Sequence, residues 1–111
     1  MNGQQVVLFQ KYTSLSGGTF YLSEPVDMVR WNSGRISATL AGSTGTGNAV
    51  AQASESDDLN LWTELGTPQN MSATPITISL TNTARWLRLK ITVPGTMPTA
   101  TVWAVAILRD M

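Results

Sequence analysis

The chain has 111 residues, enough for one domain with a core of its own, and seven Lys and Arg balance seven Asp and Glu to a net charge of zero. It has no cysteine and no histidine, which excludes disulfides, thiolate chemistry and cysteine zinc sites and removes the commonest general base and metal ligand. Only 13% of residues are charged, against about 25% in a typical globular protein; that excludes a nucleic-acid binder, which needs a basic footprint, and favours association with protein surfaces. The start, Met1 to Gln5, has neither the basic n-region nor the apolar h-region of a signal peptide. The longest apolar run, Val102 to Leu108, is far short of the roughly 20 residues of a membrane helix. The expectation is a soluble chain made in the cytoplasm, with no membrane partner.

Gln5 to Tyr12 is rich in β-branched and aromatic residues and reads as a strand. Thr13 to Thr19, with Ser14, Ser16, Gly17 and Gly18, reads as a turn. A short strand follows at Thr19 to Leu22, and Pro25 stops it, because proline cannot donate to a ladder. Met28 to Trp31 reads as another strand, leading into the turn Asn32-Ser33-Gly34. In Arg35 to Ala41 the period is two: Ile36, Ala38 and Leu40 share one face and Arg35, Ser37 and Thr39 the other. Gly42 to Asn48 is a glycine-rich connection. No Lys-Ser/Thr pair and no helical pattern follow it, so it is a loop tip and not a phosphate cradle.

Ala49 to Ser54 is a strand of small residues, suited to close packing, and Glu55 to Asn60 is an acidic turn. Leu61 to Leu65 alternates, with Trp62 and Glu64 opposite Leu61, Thr63 and Leu65. Gly66 to Pro75 is polar, bracketed by Pro68 and Pro75, and reads as loop. Ile76 to Leu80 sets Ile76, Ile78 and Leu80 against Thr77 and Ser79. After a turn at Asn82 and Thr83, Ala84 to Val93 is the longest strand: Leu87, Leu89, Ile91 and Val93 face the core and Trp86, Arg88, Lys90 and Thr92 face outward. Pro94, Gly95 and Pro98 mark a turn. Thr99 to Arg109 is apolar on both faces, with Val102, Ala104, Ala106 and Leu108 on one and Trp103, Val105 and Ile107 on the other. A strand of this kind is covered on both sides, and in a two-layer sandwich the cover on the second side is another chain. No window keeps a 3.6-residue period, and no repeat or linker interrupts the pattern. Residues 1–111 therefore read as one all-β domain, a β-sandwich or jelly roll of about eight or nine short antiparallel strands.

Ser56-Asp57-Asp58-Leu59-Asn60-Leu61-Trp62-Thr63-Glu64-Leu65, followed after a loop by Ala84-Arg85-Trp86-Leu87-Arg88-Leu89, resembles the second half of discoidin (coagulation factor 5/8 C-type) domains and related galactose-binding-like jelly rolls. The chain departs from that family in being shorter and in lacking the usual cysteine pair. The run Arg85 to Val93 after Trp62-Thr63-Glu64-Leu65 is also similar to small cysteine-free structural proteins of tailed bacteriophages. That resemblance implies a capsid decoration (cement) protein or another virion component. It would be located in the virion, with the major capsid protein or other virion subunits as partners and a homo-oligomeric state of its own.

The residues offer few rival sites. Glu55, Asp57 and Asp58 could ligate calcium through oxygen, but without EF-hand spacing they read as a solvated acidic turn. Glu55 or Glu64 paired with Asp27 could serve glycoside hydrolysis, which needs carboxyls roughly 5–10 Å apart across a cleft; nothing in the spacing brings them together. The expectation is no enzyme, no metal and no cofactor. Trp31, Trp62, Trp86 and Trp103 could stack on sugars, which makes a discoidin-like carbohydrate-binding module the alternative. Parity puts Trp62 and Trp86 opposite the aliphatic faces of their strands, and interfaces are enriched in Trp and Arg. Trp86 with Arg85 and Arg88 is accordingly the leading interface candidate, unless one arginine stacks on it as a cation–π pair. Trp103, Val105 and Ile107 form the second.

Overall fold

Strands lie where apolar and polar residues alternate in the computed structural model, which describes residues 3–16, 18–31, 33–42, 47–55, 61–72, 74–81, 85–94 and 99–109. They are β1 (Gly3–Ser16), β2 (Thr19–Leu22), β3 (Val26–Asp27), β4 (Ser33–Gly42), β5 (Gly47–Ser54), β6 (Thr63–Met71), β7 (Ile76–Thr81), β8 (Trp86–Val93) and β9 (Thr99–Arg109). All pairings are antiparallel. One sheet runs β1-β9-β4-β7; the other runs β2-β8-β5-β6, with β3 also pairing β8.

The pairings are nested. β1 pairs β9, β2 and β3 pair β8, β4 pairs β7 and β5 pairs β6. The chain is thus one long antiparallel ribbon, rolled so that β9 meets β4 and β8 meets β5. With β2 and β3 counted as one broken strand, this is the eight-strand, double-sheet jelly roll. The expected all-β sandwich is the observed architecture.

Alternation fills the interior. Leu87, Leu89, Ile91 and Val93 of β8 are 0–1% exposed, and β5 sets Ala49 and Ala51 beside them. On the other sheet Ile36 and Leu40 lie across from Ala106 and Val102, and Leu108 from Gly34. Large side chains therefore meet small ones across the β5–β8 ladder and at Ala106 and Gly34, while Ile36 pairs with Ile78 and Leu40 with Val102, and both sheets feed one core. At Gly34 a Cβ would collide with the Ile107 carbonyl oxygen, so β4 and β9 approach as they do because no side chain intervenes.

Several expectations need correction. The strand read as the longest, Ala84 to Val93, is β8 with 8 residues, shorter than β1 with 14 and β9 with 11, and Ser33 and Gly34, read as turn, open β4. The segment read as a strand at Met28 to Trp31 is a turn, and the strand lies earlier, at β3. The Asp27 carboxylate accepts the Val29 N–H at 2.9 Å and the Met28 carbonyl accepts the Trp31 N–H at 3.0 Å, which reverses the chain. The segment read as loop from Gly66 onward belongs to β6 as far as Met71. Gly66 at φ 89° and Pro68 are absorbed by a bulge, where residues 66–68 stand opposite Val50 alone. Because β6 is an edge strand, the missing proline N–H leaves no ladder bond unmade. Finally, β1 runs on through Ser14 and Ser16, read as turn, by shifting register twice between Val7 and Thr13.

Candidate interaction surfaces

The outer face of the second sheet is built around the outward residues of β8. Arg88 Cζ lies over the Trp62 ring, 3.9 Å from its centroid, and its Nε donates to Gln52 Oε1 at 2.7 Å. Lys90 Nζ stands 4.9 Å from the Phe20 ring and 3.9 Å from Glu64 Oε2. Arg85 sits 5.3 Å over the Trp86 ring, and its Nε is 3.9 Å from Asp27 Oδ1. Each cation therefore has an aromatic face and an acceptor, the acceptors coming from strands on both sides of β8. Beneath this layer the outward side chains of β5 are buried: Val50 at 3%, Gln52 at 7% and Ser54 at 2%. Burial pushes the Arg88 guanidinium below its ordinary value by desolvation, yet arginine stays charged in proteins.

Order on this face extends to its edge. Ser23, buried between β2 and β3, donates its N–H to the Leu89 carbonyl at 2.9 Å and accepts the Leu89 N–H on its hydroxyl at 2.8 Å. The hydroxyl thereby holds the broken edge strand to β8 where Pro25 would otherwise leave it loose. A groove of about 400 Å³ borders this edge, lined by Phe20, Lys90, Thr92 and Pro94 among others. The Trp86 indole N–H is buried with no partner among the described residues.

The outer face of the first sheet is different in kind. Register puts Val7 of β1 beside Val105, which lies next to Ser37 of β4, and Thr77 of β7 follows. Trp103 pairs with Thr39, and Ile107 lies between Gln5 and Arg35. Val7 is 51% exposed and Trp103 41%. Among side chains that are described, Arg35 and Arg109 are the charges the alternation puts on this face. It is an apolar stripe in a hydroxyl-rich field.

The residues singled out from sequence thus divide. Trp86, Arg85 and Arg88 do lie outward on one face, but Arg85 stacks on Trp86 while Arg88 turns to Trp62, and both arginines have acceptors. Trp103 and half-buried Ile107 lie outward on the opposite sheet. Val105, expected to await a second chain, is only 8% exposed because it sits mid-sheet between Val7 and Ser37, with Trp103 and Ile107 two residues away on its own face. For sugar stacking, one face of Trp62 is taken by Arg88. Asp57 and Asp58 lie outside the described residues, and Glu55 is exposed; among the described residues no three acidic side chains group as metal ligands would. Sequence reading missed Val7, whose exposure follows from the β1–β9 register, and the Phe20–Lys90–Glu64 set. Outward parity of Phe20 and Lys90 on paired strands was the available signal.

No family model matches the chain, and no curated protein matches it. Solved structures do. The SPBc2 prophage-derived protein YomS superposes with a TM-score of 0.53 at 6% identity, over 96% of this chain and 93% of that one. A chain from the structure of infectious bursal disease virus Gx strain gives 0.56 at 10% identity; this chain is covered to 96% and spans about a third (32%) of the viral one. A structure described as "CBM4 structure and function" gives 0.49 at 13% identity, over 88% and 68% of the two chains. At such identities the likeness is one of fold.

Proposed function

We propose that this chain is a non-enzymatic structural subunit of a virion, a capsid decoration protein that binds the major capsid protein or neighbouring virion subunits. The observation that carries the reading is the outer face of the first sheet, where Val7 and Trp103 stay exposed in a nearly uncharged field. Exposed apolar patches on soluble proteins mark interaction sites, and interface centres favour Trp while excluding charge. The neutral net charge points the same way. Fold likeness to a prophage-derived protein over nearly the whole of both chains supplies the viral setting by analogy. The mechanism is passive: the apolar stripe is buried against a capsid subunit, and the lattice gains the free energy of that contact.

Mass spectrometry of purified particles from the source virus or prophage is the test. The expected result is this chain in stoichiometric copies per particle, lost when Val7→Lys places a charge on the stripe. Absence of the chain from particles, or retention of the Val7→Lys variant at wild-type level, overturns the reading. A glycan array that responds to the chain would replace it with carbohydrate binding.

A further inference from the structure

Among the described residues the two sheets end in four edges, and three of them are interrupted. The β2–β3 edge is broken at Ser23, Glu24 and Pro25. β6 carries the Gly66–Pro68 bulge, and β1 shifts register twice between Val7 and Thr13. Breaks, prolines and bulges are how natural sheets prevent edge-to-edge pairing. β7 has none of them. Its six residues, Ile-Thr-Ile-Ser-Leu-Thr, hold no charge, proline or glycine, and pair with β4 in an unbroken register of six. Short segments this rich in β-branched residues and this poor in charge are the ones that add strands.

We infer that β7 pairs antiparallel with β7 of a second copy of this chain, joining two four-stranded sheets into one of eight. The inference rests on the assembly reading and names its first partner. A strand recognises another strand through its backbone, and the side chains here permit the match to itself. In a two-fold pairing centred on Ser79, Ser79 faces Ser79 on the outer surface and Ile78 faces Leu80 on the inner one. Hydroxyl thus meets hydroxyl, buried aliphatic meets buried aliphatic, and no like charges are opposed. Two-fold dimers are the commonest closed assembly, and a chain of zero net charge puts no repulsion between copies. The pairing also brings the outer faces of both first sheets to one side, so each dimer offers two Val7–Trp103 stripes to one surface.

Light scattering during size-exclusion chromatography reads the mass. Wild type is expected at twice the mass of one chain. Thr77→Lys/Ser79→Lys, at two exposed positions, is expected at the mass of one chain with its thermal unfolding curve retained, because like charges then face each other. Mixing it in equal amounts with Thr77→Glu/Ser79→Glu is expected to restore the doubled mass. Wild type that stays monomeric at its highest soluble concentration overturns the inference. So does a lysine variant that unfolds with its glutamate counterpart still dimeric, or a mixture that remains monomeric. If the lysine variant stays dimeric while Val7→Lys still leaves the particle, the edge assignment falls and the assembly reading stands. If β7 pairs as described in a chain that particles do not contain, the pairing stands and the assembly reading falls.

Discussion

β8 and β9 hold equivalent places, each the second strand of its sheet, and each sends a full set of apolar residues into the core. Their outward residues are treated oppositely. Over β8, three cations lie on three aromatic rings and reach acceptors on β3, β5 and β6, so that even the outward side of β5 is buried. Over β9, Trp103 and the neighbouring Val7 stand exposed beside Ser37, Thr39 and Thr77, with Arg35 and Arg109 toward one end of the strand. Among the described residues the protein lays a layer of stacked cations over the centre of one outer face, although Phe20 and Leu22 at its β2 edge stay 53% and 41% exposed, and lays none over the other. The other is where a partner would add most, since burying exposed apolar area is worth about 25 cal/mol per Å², while displacing a satisfied arginine returns little.

The two sheets differ outside and are alike inside. Leu89→Ala on the second sheet and Leu108→Ala on the first each empty a site 0% exposed. Each is expected to cost roughly 2–5 kcal/mol in denaturant unfolding, the usual range for a core leucine. A large effect in one sheet with a negligible effect in the other would mean that the sheets do not share a core.

The next effect separates the faces. Arg88→Ala removes the stack on Trp62 and strands Gln52, itself 7% exposed, without its donor. The expected loss is about 1–3 kcal/mol, combining a cation–π contact with an unsatisfied buried amide. A loss near zero in the same unfolding assay would make the layer over β5 decorative, and the contrast between the sheets would collapse.

How far this contrast was legible in the sequence depends on distance along the chain. Strict alternation identified β4, β7 and β8 with their inward residues, because a period of two is local. It also put Trp86 and Arg88 on the outside. It could not say that Arg88 would choose Trp62 over its near neighbour Trp86, since Trp62 stands immediately before β6, which reaches this face by way of β5, a pairing set by the roll of the ribbon. Likewise Pro68 read as a loop because the edge position that tolerates it is a tertiary fact. For the strand read at Met28 to Trp31, the misleading signal was apolar composition; the Asp27 carboxylate on the Val29 N–H decided for a turn. That β9 is apolar on both sides was legible in the sequence, but burial of Val105 depends on Val7 across the ladder.

Val7 and Val105 are neighbours on one face with unlike exposure. Val105→Lys must force a charge from a site 8% exposed and is expected to cost about 1–2 kcal/mol, in the range of ordinary destabilising substitutions. Val7→Lys, at 51% exposure, should change stability by no more than about 0.5 kcal/mol. Equal losses in chemical denaturation would show that Val7 and Val105 belong to one packed layer, and that the first sheet is as finished as the second.

The smallest effect concerns what holds the second face together. Lys90 and Glu64 form an ion pair at 3.9 Å with side chains 29% and 43% exposed, while Lys90 also caps Phe20. Pairs this long and this wet contribute little: solvent screens the attraction, and fixing two long side chains costs entropy. Glu64→Gln keeps the shape and removes the charge, so the unfolding free energy should change by about 0.2 kcal/mol or less. Phe20→Ala should cost more than Glu64→Gln, because it removes the ring under the ammonium along with its own packing on β8. If instead Glu64→Gln is the costlier change, and added salt reproduces its effect on the wild type, the face is held by charge pairing. A face of that kind would loosen at high ionic strength and become available to partners. The division between a finished sheet and an unfinished one would then hold only at low salt.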